Sequence, residues 1–264
     1  MYHFSFLSIF TFYFLSISGT LFTYQANAQE MEYADLLVLF VEEEYEKCLK
    51  KSIKYTQKDK TKKHPLPYLY ASLTYYEISR DHQFHDTYPK AFKQCLSYAI
   101  KYRRKDEYLA YRDDSETHLE KLKLILAEEI DNYQLDQSPR ANRKITSILK
   151  KLSRLDPNDV GVTILRGLYE IKNKNRTEGR KYLTKGLDGI KSDYLGENFE
   201  LLSESQQHFF KIALIESGEY YISKDLTKAK NIIRMGEPFF LGNNQDCILE
   251  NLDDFKKIFE EVLG

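Results

Sequence analysis

The sequence predicts an all-α chain, a stack of antiparallel helical hairpins closed by a C-terminal capping helix. Three observations lead there. Apolar residues recur at three- and four-residue spacing in one stretch after another, the mark of helices with one buried stripe. The stretch 156–190 reads as two helices joined by a polar turn, with Gly167, Gly179 and Gly186 where two packed helices would need close approach. The same pattern returns 50 residues later, where Ala229 echoes Gly179 and Gly236 echoes Gly186. Composition agrees, since Lys, Glu and Leu are abundant, favour helix, and are accompanied by only 6 prolines in 264 residues.

The first 28 residues stand apart. Phe4 to Tyr24 is an aromatic and aliphatic run without a charge, followed by Ala26-Asn27-Ala28 and then a strongly charged chain. An apolar core before a small-x-small site is what a signal peptidase reads. The expectation is a signal peptide over 1–28, cleaved after Ala28, and an exported chain that is periplasmic or envelope-associated. The run lacks a preceding Lys or Arg and is long enough to span a bilayer, so an uncleaved anchor is the rival. Membrane contact is expected only in that case. The first cysteine, Cys48, lies far from the cut, which argues against a lipid-anchored amino terminus. Three cysteines, Cys48, Cys95 and Cys247, are an odd number. Cys48 and Cys95 fall among apolar helical positions and read as small core residues.

The remaining chain, 29–264, reads in order as follows. Met31–Phe40 is a short apolar helix. Glu42–Tyr55 follows, with Tyr45, Cys48, Leu49, Ser52 and Ile53 in one stripe. A basic loop, Lys58–His64, is closed by Pro65 and Pro67. Pro67–Arg80 and Tyr88–Tyr102 form the next pair, joined by a turn over Asp81–Thr87. Arg103–Asp114 reads as a charged linker, after which Ser115 is expected to cap a helix running to about Tyr133. Ser138-Pro139 starts another, with serine as cap and proline at the first helical position, ending at Leu155-Asp156-Pro157. Asn158 or Asp159 caps the next by accepting a backbone hydrogen bond. Its stripe is Val162, Leu165, Leu168 and Tyr169, and its partner after the turn at Asn173–Asn175 buries Tyr182, Leu183 and Leu187. An insertion over 192–204 separates this hairpin, 158–190, from the second, 206–237. Leu252–Leu263 is amphipathic, with Phe255, Ile258, Phe259 and Val262 on one side, and is expected to hide the open face of the last hairpin as a capping helix over 251–263.

These residues resemble the tetratricopeptide repeat. Gly167, Gly179 and Gly186 fall on the three small-residue places of that unit; Ser217, Ala229 and Gly236 do so in the later one, where Tyr220 takes the usual tyrosine place. Pro157 stands at the unit-ending proline, Cys48 takes an alanine place in a second helix, and Asn251–Ile258 is similar to the closing segment of many such proteins. The tryptophan expected early in the unit is absent. Units of this kind are about 34 residues long, so the 192–204 insertion accounts for most of the excess of about 16. The resemblance implies a right-handed, TPR-like α-solenoid with a concave surface suited to a peptide or a partner helix.

Few residues suggest chemistry. His82 and His85 lie in a turn with Asp81 and Asp86 but without the helix-borne glutamate of a zinc protease, so no metal site is assigned. No phosphate-cradling glycine loop, nucleophile elbow or paired-cysteine zinc pattern occurs, and neither a catalytic residue nor a cofactor is expected. A net charge of -1 with 30% charged residues argues against a nucleic-acid partner. The basic runs Lys58–Lys63 and Arg103–Lys105 read as solvated loops, with contact to acidic partners as the alternative. Asn175-Arg176-Thr177 fits a glycosylation acceptor, relevant only in a eukaryotic secretory pathway. The chain carries 21 tyrosines, and tyrosine suits interfaces through its apolar body and polar tip. Tyr68, Tyr75, Tyr76, Tyr169 and Tyr220, on first helices of hairpins, are the expected partner-binding groove. The functional expectation is a bacterial, exported, non-enzymatic scaffold for a protein or peptide partner. The alternative is an all-helical ligand-binding protein or enzyme with a site between helices, using groups such as His118 or His208.

Overall fold

A computed structural model describes residues 33–136, 138–190, 202–240 (side chains to 236), and 257, 258 and 260–262. The protein is all-α. Besides the helical residues 257, 258 and 260–262, the described residues form ten α-helices and one 3-10 turn: α1 Ala34–Val41, α2 Tyr45–Gln57, α3 Leu66–Arg80, the turn His82–Phe84, α4 Ala91–Lys105, α5 Arg112–Gln134, α6 Pro139–Leu155, α7 Val160–Lys172, α8 Arg176–Gly189, α9 Glu204–Ile222 and α10 Leu226–Phe240. They fall into two compact units, one ending at Ala110 and one beginning at Tyr111. The expected signal peptide, 1–28, lies outside the described residues, as does Cys247. No described helix is long and apolar enough to cross a membrane.

In the first unit α1 packs on α2 and α3, α2 on α3, and α3 on α4. Tyr33, Leu36 and Cys48 make one apolar cluster, and Leu49, Ala71, Ile78 and Ala91 make another. Cys48 and Cys95 are buried free thiols, and burial pushes Cys95 up to about 12. Both behave as core residues. Two expected boundaries differ. Glu43 adopts a left-handed φ of 58°, which a helix cannot contain, so α2 starts at Tyr45 rather than Glu42. Helix α4 starts at Ala91 rather than Tyr88, consistent with the bias of a residue preceding proline against helical dihedrals.

The charged stretch 103–114 is less of a linker than expected. Arg103, Arg104 and Lys105 are the last turn of α4, where cations complement the helix dipole. Leu109 turns the chain with a φ of 54°, and Arg112 already begins α5. Ser115 is therefore no cap. It is fully buried inside α5, its hydroxyl donating to the Arg112 carbonyl at 3.3 Å.

In the second unit α7 is central, packing on α6, α8 and α9; α5 packs on α6 and α9, and α10 on α9. Two side-chain caps match the expectation: Ser138 accepts from the Ala141 amide at 3.1 Å and Asp159 from the Val162 amide at 2.8 Å. Val162, Ile164, Leu165 and Leu168 are all at most 1% exposed, each such side chain contributing about 1.5–3 kcal/mol of burial free energy. The crossing of α7 on α8 is backbone to backbone. A Cβ at Gly167 would fall 2.5 Å from the Leu183 nitrogen, and one at Gly179 would fall 2.7 Å from the Gly167 carbonyl oxygen. Gly161 does the same against α9, where a Cβ would lie 2.5 Å from the backbone of Phe209 and Phe210. Lys174, with a φ of 69°, makes the tight turn between α7 and α8.

Of the expected insertion 192–204, residues 192–201 lie outside the described residues; Ser203 caps α9 through a reciprocal box with Gln206, and Glu204 is already helical. Helix α10 runs on to Phe240, with Gly236 buried inside it rather than at its end. Of the expected capping helix 251–263, the described residues 257, 258 and 260–262 are helical; Ile258 and Val262 are buried while Lys257, Glu260 and Glu261 are exposed. A Cβ at Gly218 of α9 would lie 3.0 Å from Ile258 Cδ1, which places this segment on α9.

Candidate functional site

The five tyrosines expected to line a groove divide between the units, with Tyr68, Tyr75 and Tyr76 in the first and Tyr169 and Tyr220 in the second. Tyr68 and Tyr169 are only 7% and 3% exposed, which leaves little ring to present to a partner. The Tyr68 hydroxyl donates inward to the Lys62 carbonyl at 2.8 Å. Tyr75 is half-buried and stacked on Tyr98 at 5.7 Å. Tyr76 is half-buried with the Arg80 guanidinium over its ring at 5.5 Å. Tyr220, also half-buried, meets Tyr221 edge-on at 4.9 Å, and Lys224 lies 4.0 Å over its ring. Tyr75, Tyr76 and Tyr220 thus keep the amphipathic exposure that suits tyrosine to interfaces.

Tyr169 instead belongs to a polar tie across three helices. Its hydroxyl donates to Glu216 Oε1 of α9 at 2.9 Å, and Gln134 of α5 donates to the same oxygen at 2.6 Å. Lys172 pairs with Glu216 Oε2 at 2.7 Å and lies 4.2 Å over the Tyr169 ring. Burial first, and then the Glu216 charge, pushes the phenol well above its ordinary range, so it serves as a hydrogen-bond donor and not as an acid.

A second polar group is larger. Lys123 of α5 is buried to 3% side-chain exposure and pairs with Glu120 at 2.7 Å and Asp156 at 3.4 Å, with Glu116 at 3.9 Å. Glu120 also accepts from the Ser205 amide at 2.6 Å and from the Ser203 and Ser205 hydroxyls at 2.9 Å each. Gln206 donates to Asp156 at 3.0 Å. Burial alone would lower Lys123, but Asp156 and Glu120 hold it above its ordinary range; burial alone would raise Glu120, but Lys123 and the Ser205 amide hold it below. One ammonium thus holds three carboxylates, with serine and glutamine donors assisting, and the cluster fastens the start of α9 and the α6–α7 corner to α5. Beside it Asp159 is wholly buried and pushed up to about 8, by burial first and then by the Asp156 charge. Its Oδ2 has no hydrogen-bond partner, and burial favours its protonated form.

The histidines do not gather around this cluster. His118 is buried, and burial, then Lys121, lowers it to about 4, so its imidazole is neutral. His208 Nε2 lies 3.3 Å from Asp131 Oδ1, close enough for an ion pair but without hydrogen-bond alignment. His82 and His85 are exposed, ring against ring edge at 4.7 Å, while Asp81 is taken by the backbone and side chain of Gln83. No group of three or more His, Cys, Asp or Glu side chains able to hold a metal ion occurs among the described residues. Compared with known proteins, the chain matches no family model, no curated protein and no solved structure.

Proposed function

We propose that this chain is an exported, non-enzymatic scaffold, a TPR-like right-handed stack of hairpins that holds a protein or peptide partner. The observation that carries the reading is the position of α7. It crosses its own partner α8 at Gly167 and Gly179 and lies against α9, the first helix of the next hairpin, at Gly161. Hairpins whose first helices lie side by side are what a helical-repeat stack is made of. The half-exposed Tyr75, Tyr76 and Tyr220 supply contact surface of the kind partners use. Export rests on the apolar run and the Ala26-Asn27-Ala28 site. The Lys123 cluster is the feature closest to the alternative, an enzyme or ligand-binding protein. Its ties from α5 to the α6–α7 corner and to the start of α9 support a structural part instead.

A photo-crosslinking residue placed at Tyr76 or Tyr220 of the full chain, in cells that produce it, tests the reading. The expected result is a discrete protein adduct from those positions and none from Lys181, an exposed residue of α8. A small molecule or metal that co-purifies with the chain while no protein adduct forms would overturn it. N-terminal sequencing should begin at Gln29, and a membrane-retained full-length chain would sink the export assignment.

A further inference from the structure

The two basic runs of the first unit, far apart in sequence, meet in the fold. Lys62 and Lys63 are exposed in the loop 58–64, and Arg104 is exposed in the last turn of α4. Tyr68 joins them: its hydroxyl holds the Lys62 carbonyl at 2.8 Å, and the Lys105 ammonium lies 4.8 Å over its ring. Tyr98, 6.3 Å from Tyr68, carries Lys101 over its own ring at 4.5 Å. The crowding of like charge is felt by Lys105, held below its ordinary range by partial burial first and then by Arg104, Lys63 and Lys62. The acids nearby do little to cancel it. Asp106 is turned inward, accepting from Tyr102 at 2.8 Å. Asp59 pairs with Lys62 at 2.5 Å, but its side chain is 92% exposed, and such surface pairs contribute only about 0–1 kcal/mol.

We infer that the surface where the loop 58–64 meets the C-terminal end of α4 docks an acidic, Asp- and Glu-rich segment of a protein partner. The inference rests on the scaffold reading and names the chemistry of the partner. Charge complementarity selects the sign of the ligand. The scaffold reading selects its kind, a protein segment, and a lipid surface or a nucleic acid is an outcome of the test below. The chain as a whole has a net charge of -1, so it offers a local patch rather than a general polycationic surface.

Fluorescence anisotropy of the full chain with a labelled Glu- and Asp-rich peptide tests this. Binding should saturate, weaken with added salt, and fall at least about tenfold in the double variant Lys62→Glu, Lys63→Glu, whose exposed positions leave the fold intact. Arg104→Glu should weaken it likewise, and Lys181→Glu should not. No peptide binding, or equal losses at Lys181, would overturn the inference. So would phosphatidylglycerol vesicles or a single-stranded oligonucleotide displacing the peptide at lower concentration and showing the same losses. If the peptide fails to bind while the crosslinks at Tyr76 and Tyr220 persist, the acidic dock alone is wrong; if both fail, the scaffold reading falls too.

Discussion

Replacing Asp159 with Asn should flatten the dependence of the second unit's stability on pH. Asp159 is buried at 1% exposure, with one oxygen capping α7 and the other without a partner. Its folded pKa is raised from 3.8 to about 8. A raised carboxyl holds a proton that the unfolded chain has released. The stability it confers is full below the unfolded value and is lost as pH rises through the folded one. At 1.36 kcal/mol per unit, the span between those values sets a ceiling of roughly 6 kcal/mol on the loss. Glu120, held below its ordinary range, acts in the opposite sense and only on the acid side. His118, lowered from 6.5 to about 4, adds stability as pH rises through that window and offsets Asp159 there, so the wild type should lose stability steadily only between about pH 6.5 and pH 8. Asn keeps the capping oxygen and cannot ionise, so above about pH 6.5 the variant should stay level and become the more stable protein at the alkaline end. The chain has no tryptophan, and hydrogen exchange at the α7 amides isolates the second unit where a global melt would blend both. Above about pH 6.5, a level wild-type profile, or a variant that falls in parallel with it, would refute the reasoning.

Other substitutions probe the packing. Gly167→Ala puts a methyl 2.5 Å from the Leu183 nitrogen, which backbone cannot yield cheaply; urea unfolding should show a loss of about 1–3 kcal/mol, and wild-type stability would contradict the close crossing. Lys123→Met strands Glu120 and Asp156 without their buried cation and should cost about 3–5 kcal/mol at neutral pH; the deficit should shrink on acidification, and the triple variant with Glu120→Gln and Asp156→Asn should recover most of it. Thiol reagents should modify Cys48 and Cys95 only as fast as the first unit opens, because both are buried and burial raises their pKa; mass spectrometry showing immediate labelling of the folded chain at either site would contradict that burial.

Local signals read well from the sequence where one side chain does the work. Ser138 before Pro139 and Asp159 before Val160 announce helix starts, and the hydroxyl and carboxyl oxygens make those caps. The start of α5 carries no such signal, because Tyr111 offers no side-chain cap while Ser115, a cap by residue type, lies inside the helix. Tyrosines were ambiguous for another reason. Helix α3 is packed on several sides, so the buried Tyr68 and the half-buried Tyr75 and Tyr76 carry the same spacing signal. The polar ties could not be read at all. Lys123 meets Asp156 across 33 residues and Glu120 meets Ser205 across 85, and periodicity carries no information about such pairings. The meeting of Lys62 with Lys105 over Tyr68 was hidden in the same way, although each basic run was visible alone.

The fastening of α5 to the start of α9 also bears on the order of events in folding. The α7–α8 crossing joins neighbours in sequence, so its loop closes at little entropic cost. The Glu120–Ser205 contact closes a far longer loop, and contacts of that separation are paid for only once the intervening helices have collapsed. A bond made after the barrier to folding has been crossed does not hasten folding; it slows escape from the native state. The Lys123 cluster should therefore act as a latch on an already assembled unit, lengthening its native lifetime while leaving its speed of assembly almost unchanged.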